Sequence, residues 1–253
     1  MIFAAGLGTR LKPLTDTMPK ALVPLAGKPL LQWQVEKLRD AGITDIIVNV
    51  HHFPDMIIDA IRRNNGWGCN ITVSDERDQL LDTGGGLKKA ITNHQLPITD
   101  DPILACNVDI LSNIDLRAFL NSYDPSTLGS LVVSDRQTQR YLCFDAHNTL
   151  CGWTNIKTGE MRPSNLQSPI TNYQLLAFSG CQILSPEALS LLQQYPADKF
   201  SLIDFYMSLC EKKFSIFNSQ FSILKAYIPD TFRMMDVGKI DQIEEAEAFA
   251  RSL

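Results

Sequence analysis

The N-terminal part of the chain contains two apolar segments separated by a helical pattern, and this arrangement limits the fold more than any other feature. Residues 1–5 form a short apolar segment, and residues 46–50 (Ile-Ile-Val-Asn-Val) form an almost unbroken apolar run. Between them, Leu31, Val35 and Leu38 recur at helical spacing. Apolar strands that alternate with amphipathic helices are typical of a parallel sheet covered on both faces. With right-handed crossovers, the pattern predicts an α/β fold, doubly wound in three layers (α/β/α) around a mostly parallel central sheet.

The character of the sequence changes near residue 130. Before it, apolar strands are predicted at 70–74 and 102–106, with a helix between them that opens near Thr83. After it, the apolar runs are shorter and alternate with polar residues, which predicts hairpins and a small mixed sheet. No linker, repeat or low-complexity tract separates the two parts. We therefore expect a single domain.

Composition and charge exclude several classes of protein. A chain of 253 residues with 45% hydrophobic content can bury a substantial core. It has neither an apolar run of about eighteen residues nor a recognisable signal peptide, so we expect a soluble cytoplasmic protein without a membrane partner. The net charge of -5 argues against a nucleic-acid partner. Six cysteines occur without a Cys-x-x-Cys pair, and we expect them to be reduced thiols in the core.

A glycine-bearing turn followed by cations lies at the start of the chain. Residues 4–15 read Ala-Ala-Gly-Leu-Gly-Thr-Arg-Leu-Lys-Pro-Leu-Thr. Glycines let backbone amides approach phosphate oxygens, and Arg10 and Lys20 can bring full positive charge to the same oxygens. Residues 1–30 contain four cations and one aspartate, so a local charge of +3 contrasts with -5 for the whole chain. These features predict a polyphosphate ligand.

Two common phosphate-binding motifs do not fit this turn. The dinucleotide fingerprint needs a third glycine three positions after the second, but Leu11 stands there. A P-loop needs Ser or Thr after Gly-Lys, but Gly27 and Lys28 are followed by Pro29. The first mismatch also disfavours a nicotinamide-dependent oxidoreductase.

The run does resemble the signature of the sugar nucleotidyltransferases. The segments that match are 4–15, the Pro19-Lys20 pair and residues 24–29 (Pro-Leu-Ala-Gly-Lys-Pro). The resemblance implies that a nucleoside triphosphate and a sugar 1-phosphate are the partners, with Arg10 and Lys20 as catalytic cations. It further implies the following nucleotide-binding residues: Ala4, Ala5, Gly6, Gly8, Thr9, Asp82, Thr83 and Gly84. Relatives usually carry a few more residues before the first strand, and the sequence does not tell whether the N-terminus is trimmed.

The resemblance also divides the chain by function. It implies a nucleotide-binding half at residues 1–125, a sugar-binding half at 126–238 and a C-terminal helix at 239–253. The glycine cluster at 84–86, which opens a helix, is expected to offer backbone groups to the base and free amides to an anion.

Two aspartates are candidate ligands for Mg²⁺. Asp109 follows the apolar strand at 103–108, where a buried strand has no structural need for a carboxylate. Magnesium takes one or two protein carboxylates and leaves its other positions to phosphate and water, and Asp236 is the natural second ligand. By resemblance, these positions match the two metal-binding aspartates of the family. Relatives usually have glycine before the first of them, whereas Val108 stands here.

The sugar contacts are less well marked in the sequence. Tyr141, Asn155 and Gly180 are the candidates, but Leu142 and Trp153 stand where thymidylyltransferases have a glycine and a Glu-Lys-Pro segment. The chain is most similar to the N-acetylmuramate 1-phosphate uridylyltransferase type, which favours UTP. Mannose 1-phosphate guanylyltransferases and glucose 1-phosphate thymidylyltransferases are the alternatives.

A catalytically silent, nucleotide-sugar-sensing homologue is the alternative outside enzymes. Such a protein is expected to have lost at least one of Arg10, Lys20, Asp109 and Asp236, and all four are present. We therefore expect an enzyme that displaces pyrophosphate in line at the α-phosphorus. The sequence does not specify an oligomeric state.

Overall fold

A computed structural model describes residues 1–93, 95–96, 99–164, 166, 172–211 and 223–253. The helices are α1 (Leu30–Asp40), α2 (Pro54–Arg63), α3 (Asp82–Thr92), α4 (Leu116–Asn121), α5 (Pro186–Gln193), α6 (Leu202–Cys210) and α7 (Ile243–Ala250). The strands are β1 (Ile2–Phe3), β2 (Pro24–Leu25), β3 (Lys28–Pro29), β4 (Asp45–Val50), β5 (Asn70–Asp75), β6 (Ile103–Asn107), β7 (Ile110–Ser112), β8 (Gly129–Ser134), β9 (Arg140–Phe144), β10 (Leu150–Asn155), β11 (Glu160–Arg162), β12 (Gln174–Leu184), β13 (Lys225–Tyr227) and β14 (Met234–Asp236).

The central sheet is mostly parallel, as predicted. Its strand order is β13-β8-β12-β6-β1-β4-β5. Strands β6, β1, β4 and β5 pair in parallel, and β8 and β13 also pair in parallel. Strand β12 is antiparallel to both of its neighbours, β6 and β8, so it alone reverses direction among these seven. The predicted α/β fold with a mostly parallel central sheet is therefore confirmed.

A smaller sheet grows from the first residues of β12. Residues 174–176 pair with β9, which continues to β10 and β11, and every pairing in this extension is antiparallel. The small sheet predicted after residue 130 is therefore present, but in the described residues its pairings are antiparallel and not mixed. It shares the long strand β12 with the central sheet.

Alternate residues of the central strands face two separate apolar clusters. In β1, Ile2 packs with residues of α1, α2, α4 and α7, while Phe3 packs with residues of α3, α5 and α6. Period-two alternation places successive side chains on opposite faces of a sheet, so both faces are covered by helices. The three layers leave the carboxyl ends of the parallel strands as the open edge.

The helix predictions agree closely with the structure. The spacing of Leu31, Val35 and Leu38 belongs to α1, and all three side chains are buried. The predicted C-terminal helix is a short 3-10 turn (Ile240–Gln242) followed by α7. Within the ranges that the structure describes, none of the helices is both long and apolar enough to span a membrane.

Candidate active site

A cleft of about 390 Å³ opens where β1, β4 and β6 end. Carboxyl ends of parallel strands are where ligands bind in open α/β sheets. Nine of the residues predicted from the sequence line this cleft: Ala5, Gly6, Gly8, Thr9, Arg10, Lys20, Asp82, Thr83 and Asp109. Side chains from distant parts of the chain therefore meet at one edge of the sheet.

The glycine turn that follows β1 uses its two glycines differently. Gly8 has φ +65°, and a Cβ on it would lie 2.8 Å from Thr15 Cγ2 and 3.0 Å from the Cβ of Lys20. Its carbonyl accepts hydrogen bonds from Leu11 N (2.8 Å) and from Thr15 Oγ1 (2.8 Å). A Cβ on Gly6 would meet nothing within 4 Å. Gly8 thus shapes the turn, whereas Gly6 borders open space in the cleft.

Pairing of β7 with β14 brings the two candidate metal ligands together. Asp236 lies opposite Ile110, the residue after Asp109, and Val237 N donates a 2.8 Å hydrogen bond to the carbonyl of Asp109. The Lys20 ammonium contacts Oδ2 of Asp109, and both side chains are largely buried. The Arg10 guanidinium lies 4.0 Å from the carboxylate of Asp236, and both are more exposed. Each carboxylate therefore has a cation beside it.

The charges in this cluster act on Asp236. Partial burial in the cleft and the neighbouring charge of Asp109 raise the pKa of Asp236, while Lys20 and Arg10 lower it. The net shift of the pKa is upward, although 47% of the Asp236 side-chain surface is exposed to solvent. A Cβ on Gly238 would lie 2.6 Å from Asp236 Oδ1 and 2.8 Å from Arg10 Nη2, so a larger residue there would displace the ends of these two side chains. Two carboxylates that repel each other in this way are suited to share a divalent cation.

The donor set fits a hard cation. Asp109 and Asp236 offer carboxylate oxygens, and in the described part of the chain no cluster of three or more His, Cys, Asp or Glu side chains could hold a metal ion. Two carboxylates, with phosphate and water in the remaining positions, suit Mg²⁺ and not a structural zinc site.

A buried carboxylate, not predicted from the sequence, connects the turn after β1 with the loop before α3. Glu76 is completely buried, and its Oε1 accepts a 2.7 Å hydrogen bond from Asn49 Nδ2. Asn49 Oδ1 in turn accepts from Ala4 N (2.8 Å), and Leu81 N donates to Glu76 Oε2 (3.2 Å). The turn after β1 and the loop before α3 are thus held by one acidic side chain. The only sequence signal was Asn49, a polar residue inside an apolar strand.

The glycine cluster at the start of α3 serves packing more than ligand binding. The amides of Gly84 and Gly85 both donate to the carbonyl of Phe200, at 2.9 and 3.1 Å. A Cβ on Gly86 would lie 2.5 Å from Oε1 of Glu76. The expectation of free amides for an anion is therefore wrong for Gly84 and Gly85. Asp82 and Thr83 remain at the cleft, and Thr83 Oγ1 accepts a 3.0 Å hydrogen bond from the backbone nitrogen of Leu202.

A second cleft of about 710 Å³ adjoins the first. The two share Arg10 and Gly238, and Asp236 lines the second. Arg136, in the loop between β8 and β9, and Arg140, the first residue of β9, are among the residues that line the second cleft.

The three candidate sugar contacts are not among the residues that line either cleft, and each has a structural neighbour of its own. Tyr141 is buried, and its hydroxyl accepts a 3.0 Å hydrogen bond from Thr138 N. Asn155 Oδ1 accepts from Lys157 N (3.1 Å) in the turn after β10. Gly180, with φ +70°, lies at the irregularity in the β8–β12 pairing, where a Cβ would come 2.8 Å from a side-chain carbon of Ile110. Their role as sugar contacts stays a prediction.

Two further residues of the first cleft were not recognised in the sequence. Asn107 ends β6 two residues before Asp109, and Lys199 precedes α6 with an exposed side chain. A polar residue at the end of a buried strand could have marked Asn107. Lys199 stands in no recognisable motif, and only the fold brings it to the cleft.

Comparison with known proteins identifies the family. The model of the nucleotidyl transferase family matches residues 1–144. The chain is 30% identical to the N-acetylmuramate alpha-1-phosphate uridylyltransferase of Caulobacter vibrioides over 83% of each chain. It is 37% identical to the mannose-1-phosphate guanyltransferase of Saccharomyces cerevisiae over 78% of this chain and 52% of that enzyme.

The fold is also that of solved structures. A putative glucose-1-phosphate thymidylyltransferase from Bacillus anthracis superposes with a TM-score of 0.77 at 16% identity, covering 100% of this chain and 94% of that one. Sequence, fold and site thus lead to one conclusion. The chain belongs to the nucleotidyl transferase family, and the relatives it matches are sugar 1-phosphate nucleotidyltransferases.

Proposed function

We propose that this protein transfers a nucleotidyl group from a nucleoside triphosphate, with UTP favoured, to a sugar 1-phosphate, with the help of Mg²⁺. The observation that carries the proposal is the pair of carboxylates, Asp109 and Asp236, set beside Lys20 and Arg10 at the carboxyl edge of the sheet. Residues 1–125 supply most of the nucleotide side of this site, and residues 126–238 supply the wall on which the sugar is placed.

The reaction needs positioning and charge neutralisation more than proton transfer. A phosphate oxygen of the sugar 1-phosphate forms a new bond to the α-phosphorus, and the bond from that phosphorus to the β-phosphate oxygen breaks to release pyrophosphate. Both reactants are anions, so Arg10 and Lys20 stabilise the charge that accumulates in the transition state. The Gly6 side of the turn leaves room for the phosphates. Asp82 and Thr83 line the same cleft, and we assign them to the base.

The two aspartates would hold the metal ion. When bound, Mg²⁺ supplies charge neutralisation of the phosphate oxygens and fixes their orientation. Lys20 contacts Asp109, so the same ammonium group can balance this carboxylate or turn to a phosphate oxygen.

The lean towards UTP rests on relatives. The Caulobacter vibrioides uridylyltransferase matches over most of both chains, whereas the yeast guanyltransferase is matched over about half of its length. Guanylyl transfer to mannose 1-phosphate and thymidylyl transfer to glucose 1-phosphate remain the alternatives, because backbone groups near Thr83 can pair with any of the three bases.

The test is pyrophosphate release from a panel of UTP, GTP and dTTP with several sugar 1-phosphates, with and without Mg²⁺. We expect turnover that requires both substrates and the metal. Asp236→Asn should raise the Mg²⁺ concentration needed for half-maximal rate, whereas Asp241→Asn, an exposed acid-to-amide change near the same segment, should not. No pyrophosphate from any pair would overturn the proposal.

A further inference from the structure

Two buried cysteines face each other where β6 pairs with β12. Cys106 and Cys181 are directly opposed in this antiparallel pairing, and their Sγ atoms lie 3.0 Å apart. Both are free thiols. Directly opposed residues of antiparallel strands have Cα atoms about 4.5 or 5.5 Å apart, within the range of about 4.4–6.8 Å that a disulfide spans. The register therefore allows a bond between these two sulfurs with little movement of the backbone.

The two thiols differ in how readily they lose a proton. The hydrogen bond between them lowers the pKa of Cys106 and raises the pKa of Cys181, so we assign Cys181 as the donor. Burial opposes the downward shift of the Cys106 pKa, and the charge of Lys37 adds to it. The thiolate is the form of cysteine that attacks an oxidant. Cys106 is therefore suited to react first, with Cys181 in contact to react second.

The other four cysteines lack this combination. Burial raises the pKa of both Cys143 and Cys210 to about 12, and it also raises the pKa of Cys69 and Cys151. All six cysteines lie in the ranges that the structure describes, and no hydrogen bond joins any other two of their thiols. Thiolate character and a second thiol in contact thus occur together at one place among the described residues.

A small oxidant can reach this pair from the surface. A cavity of about 10 Å³ is lined by both cysteines and by Gln34, Lys37 and Ser112. The last three residues also line an open cleft of about 480 Å³, separate from the two clefts described above. A volume of about 10–15 Å³ admits one water molecule, and hydrogen peroxide is only slightly larger. The path from the open cleft to the thiols therefore passes Lys37, which donates hydrogen bonds to the carbonyl (2.7 Å) and Oγ (2.6 Å) of Ser112.

We propose that Cys106 and Cys181 are a site of reversible oxidation by peroxides, which converts the two thiols to a disulfide that joins β6 to β12. The Cys106 thiolate attacks one peroxide oxygen and the O–O bond breaks, which gives a sulfenic acid and a hydroxide that takes up the proton lost by Cys106. The Cys181 sulfur then attacks the sulfenic sulfur, and the S–O bond breaks as hydroxide leaves with the Cys181 proton as water. Two thiols are oxidised, and one peroxide is reduced to two molecules of water.

The expected consequence of the disulfide is resistance to unfolding. Cys106 and Cys181 are 75 positions apart in the sequence, so the bond closes a long loop of the chain. A disulfide stabilises a protein mainly by restricting its unfolded chain, and the effect grows with the length of the loop. Neither cysteine lines the two clefts assigned to the substrates. The modification therefore stabilises the sheet and does not depend on the proposed function.

The experiment treats the folded, fully reduced protein with a few molar equivalents of hydrogen peroxide. Remaining thiols are then alkylated, and the digested protein is mapped by mass spectrometry. We expect two of the six thiols to be lost, the peptide that carries Cys106 to be linked to the peptide that carries Cys181, and dithiothreitol to restore both. The melting temperature should be at least about 5 °C higher in the oxidised protein than in the reduced protein.

Two variants show whether this pair is responsible. In Cys181→Ala the oxidation of Cys106 should stop at the sulfenic acid, which dimedone traps, and peroxide should not raise the melting temperature. Cys69→Ala, which removes a partly buried cysteine before β5, is the matched control and should keep both the link and the rise in melting temperature.

Three results would each overturn the inference. The first is that all six thiols remain free in the peroxide-treated protein, and the second is a link between other cysteines. The third is a link at this pair with an unchanged or lower melting temperature. If Cys181→Ala does not fold, the linked peptides and the melting temperature of the unmodified protein decide between these outcomes.

Discussion

The two clefts of this protein differ in how their charges are balanced. On the phosphate side, Lys20 and Asp109 are largely buried and in contact, and Glu76 holds the neighbouring loops from inside the core. On the sugar side, Arg136 and Arg140 are exposed, and neither forms an ion pair with an acidic residue in the described part of the chain. Buried, matched groups fix a geometry that any reaction of this type needs, whereas exposed, unmatched cations can be changed without disturbing the fold. The difference suggests that the phosphate side carries out the reaction, whereas the sugar side selects the substrate.

The largest test of this contrast removes the cations of the phosphate side. We expect Lys20→Ala to lower kcat by about 10²–10³-fold and Arg10→Ala by at least about tenfold, since each stabilises charge that develops at the phosphates. Arg10 is exposed, so Arg10→Ala should leave the melting temperature unchanged. The measurement is pyrophosphate release together with thermal unfolding.

Lys12→Ala is the matched control for these variants. Lys12 belongs to the same segment but pairs with Asp16 at 2.9 Å, away from the two carboxylates of the site. Activity within about twofold of the unmodified protein is expected. A loss as large as that of Lys20→Ala would mean that general positive charge near the N-terminus matters, and not these two positions.

The next largest effects distinguish the glycine that maintains the backbone conformation of the turn from the glycine expected to contact the ligand. Gly8→Ala should lower the free energy of unfolding by about 1–3 kcal/mol, because it combines φ +65° with a 2.8 Å approach to Thr15. Gly6→Ala meets no neighbouring atom and should leave stability nearly unchanged while raising KM for the triphosphate. Chemical denaturation and steady-state kinetics measure the two. A Gly6→Ala protein with unaltered kinetics would exclude a phosphate contact at Gly6.

The same contrast explains how much could be predicted from sequence. The pattern of apolar residues predicted the mostly parallel sheet, because a strand buried on both faces is apolar at nearly every position. The family signature predicted that Asp109 and Asp236 share a site, and the β7–β14 pairing shows how. These features are local or belong to a motif.

Features that depend on distant contacts were missed or misread. The glycines at 84–86 were read as ligand-binding, but two of them donate to Phe200, more than a hundred residues away. The role of Glu76 depends on partners in three other segments, and no spacing rule joins them. The fold alone brings Lys239 to the same cleft as Arg136 and Arg140. Glu76, Arg136, Arg140 and Lys239 stand in no motif of the sequence.

Lys199 offers a smaller test on the border of the first cleft. Its exposed side chain lines the cleft with Asp82 and Thr83, so we expect Lys199→Ala to raise KM for the triphosphate by about tenfold with a smaller change in kcat, as for one phosphate contact. Lys157→Ala, an exposed lysine in the turn after β10, is the control. A pure loss of kcat would place Lys199 with the groups that act only in the transition state.

The smallest expected effect is the pH dependence that the buried Glu76 gives to the free energy of unfolding. Burial raises the pKa of Glu76 above its ordinary value of 4.5, although hydrogen bonds from Asn49 and Leu81 and the charges of Lys89 and His51 oppose the shift. Its contribution to stability is therefore full below pH 4.5 and is lost as the pH rises through the raised value in the folded protein. Glu76→Gln removes this titration and, because its amide nitrogen would face a donor, costs about 1 kcal/mol at every pH. Urea denaturation should show the stability advantage of the unmodified protein over Glu76→Gln shrinking as the pH rises above the ordinary value of 4.5. An advantage that grows with pH would show that the ionised carboxylate stabilises the folded state.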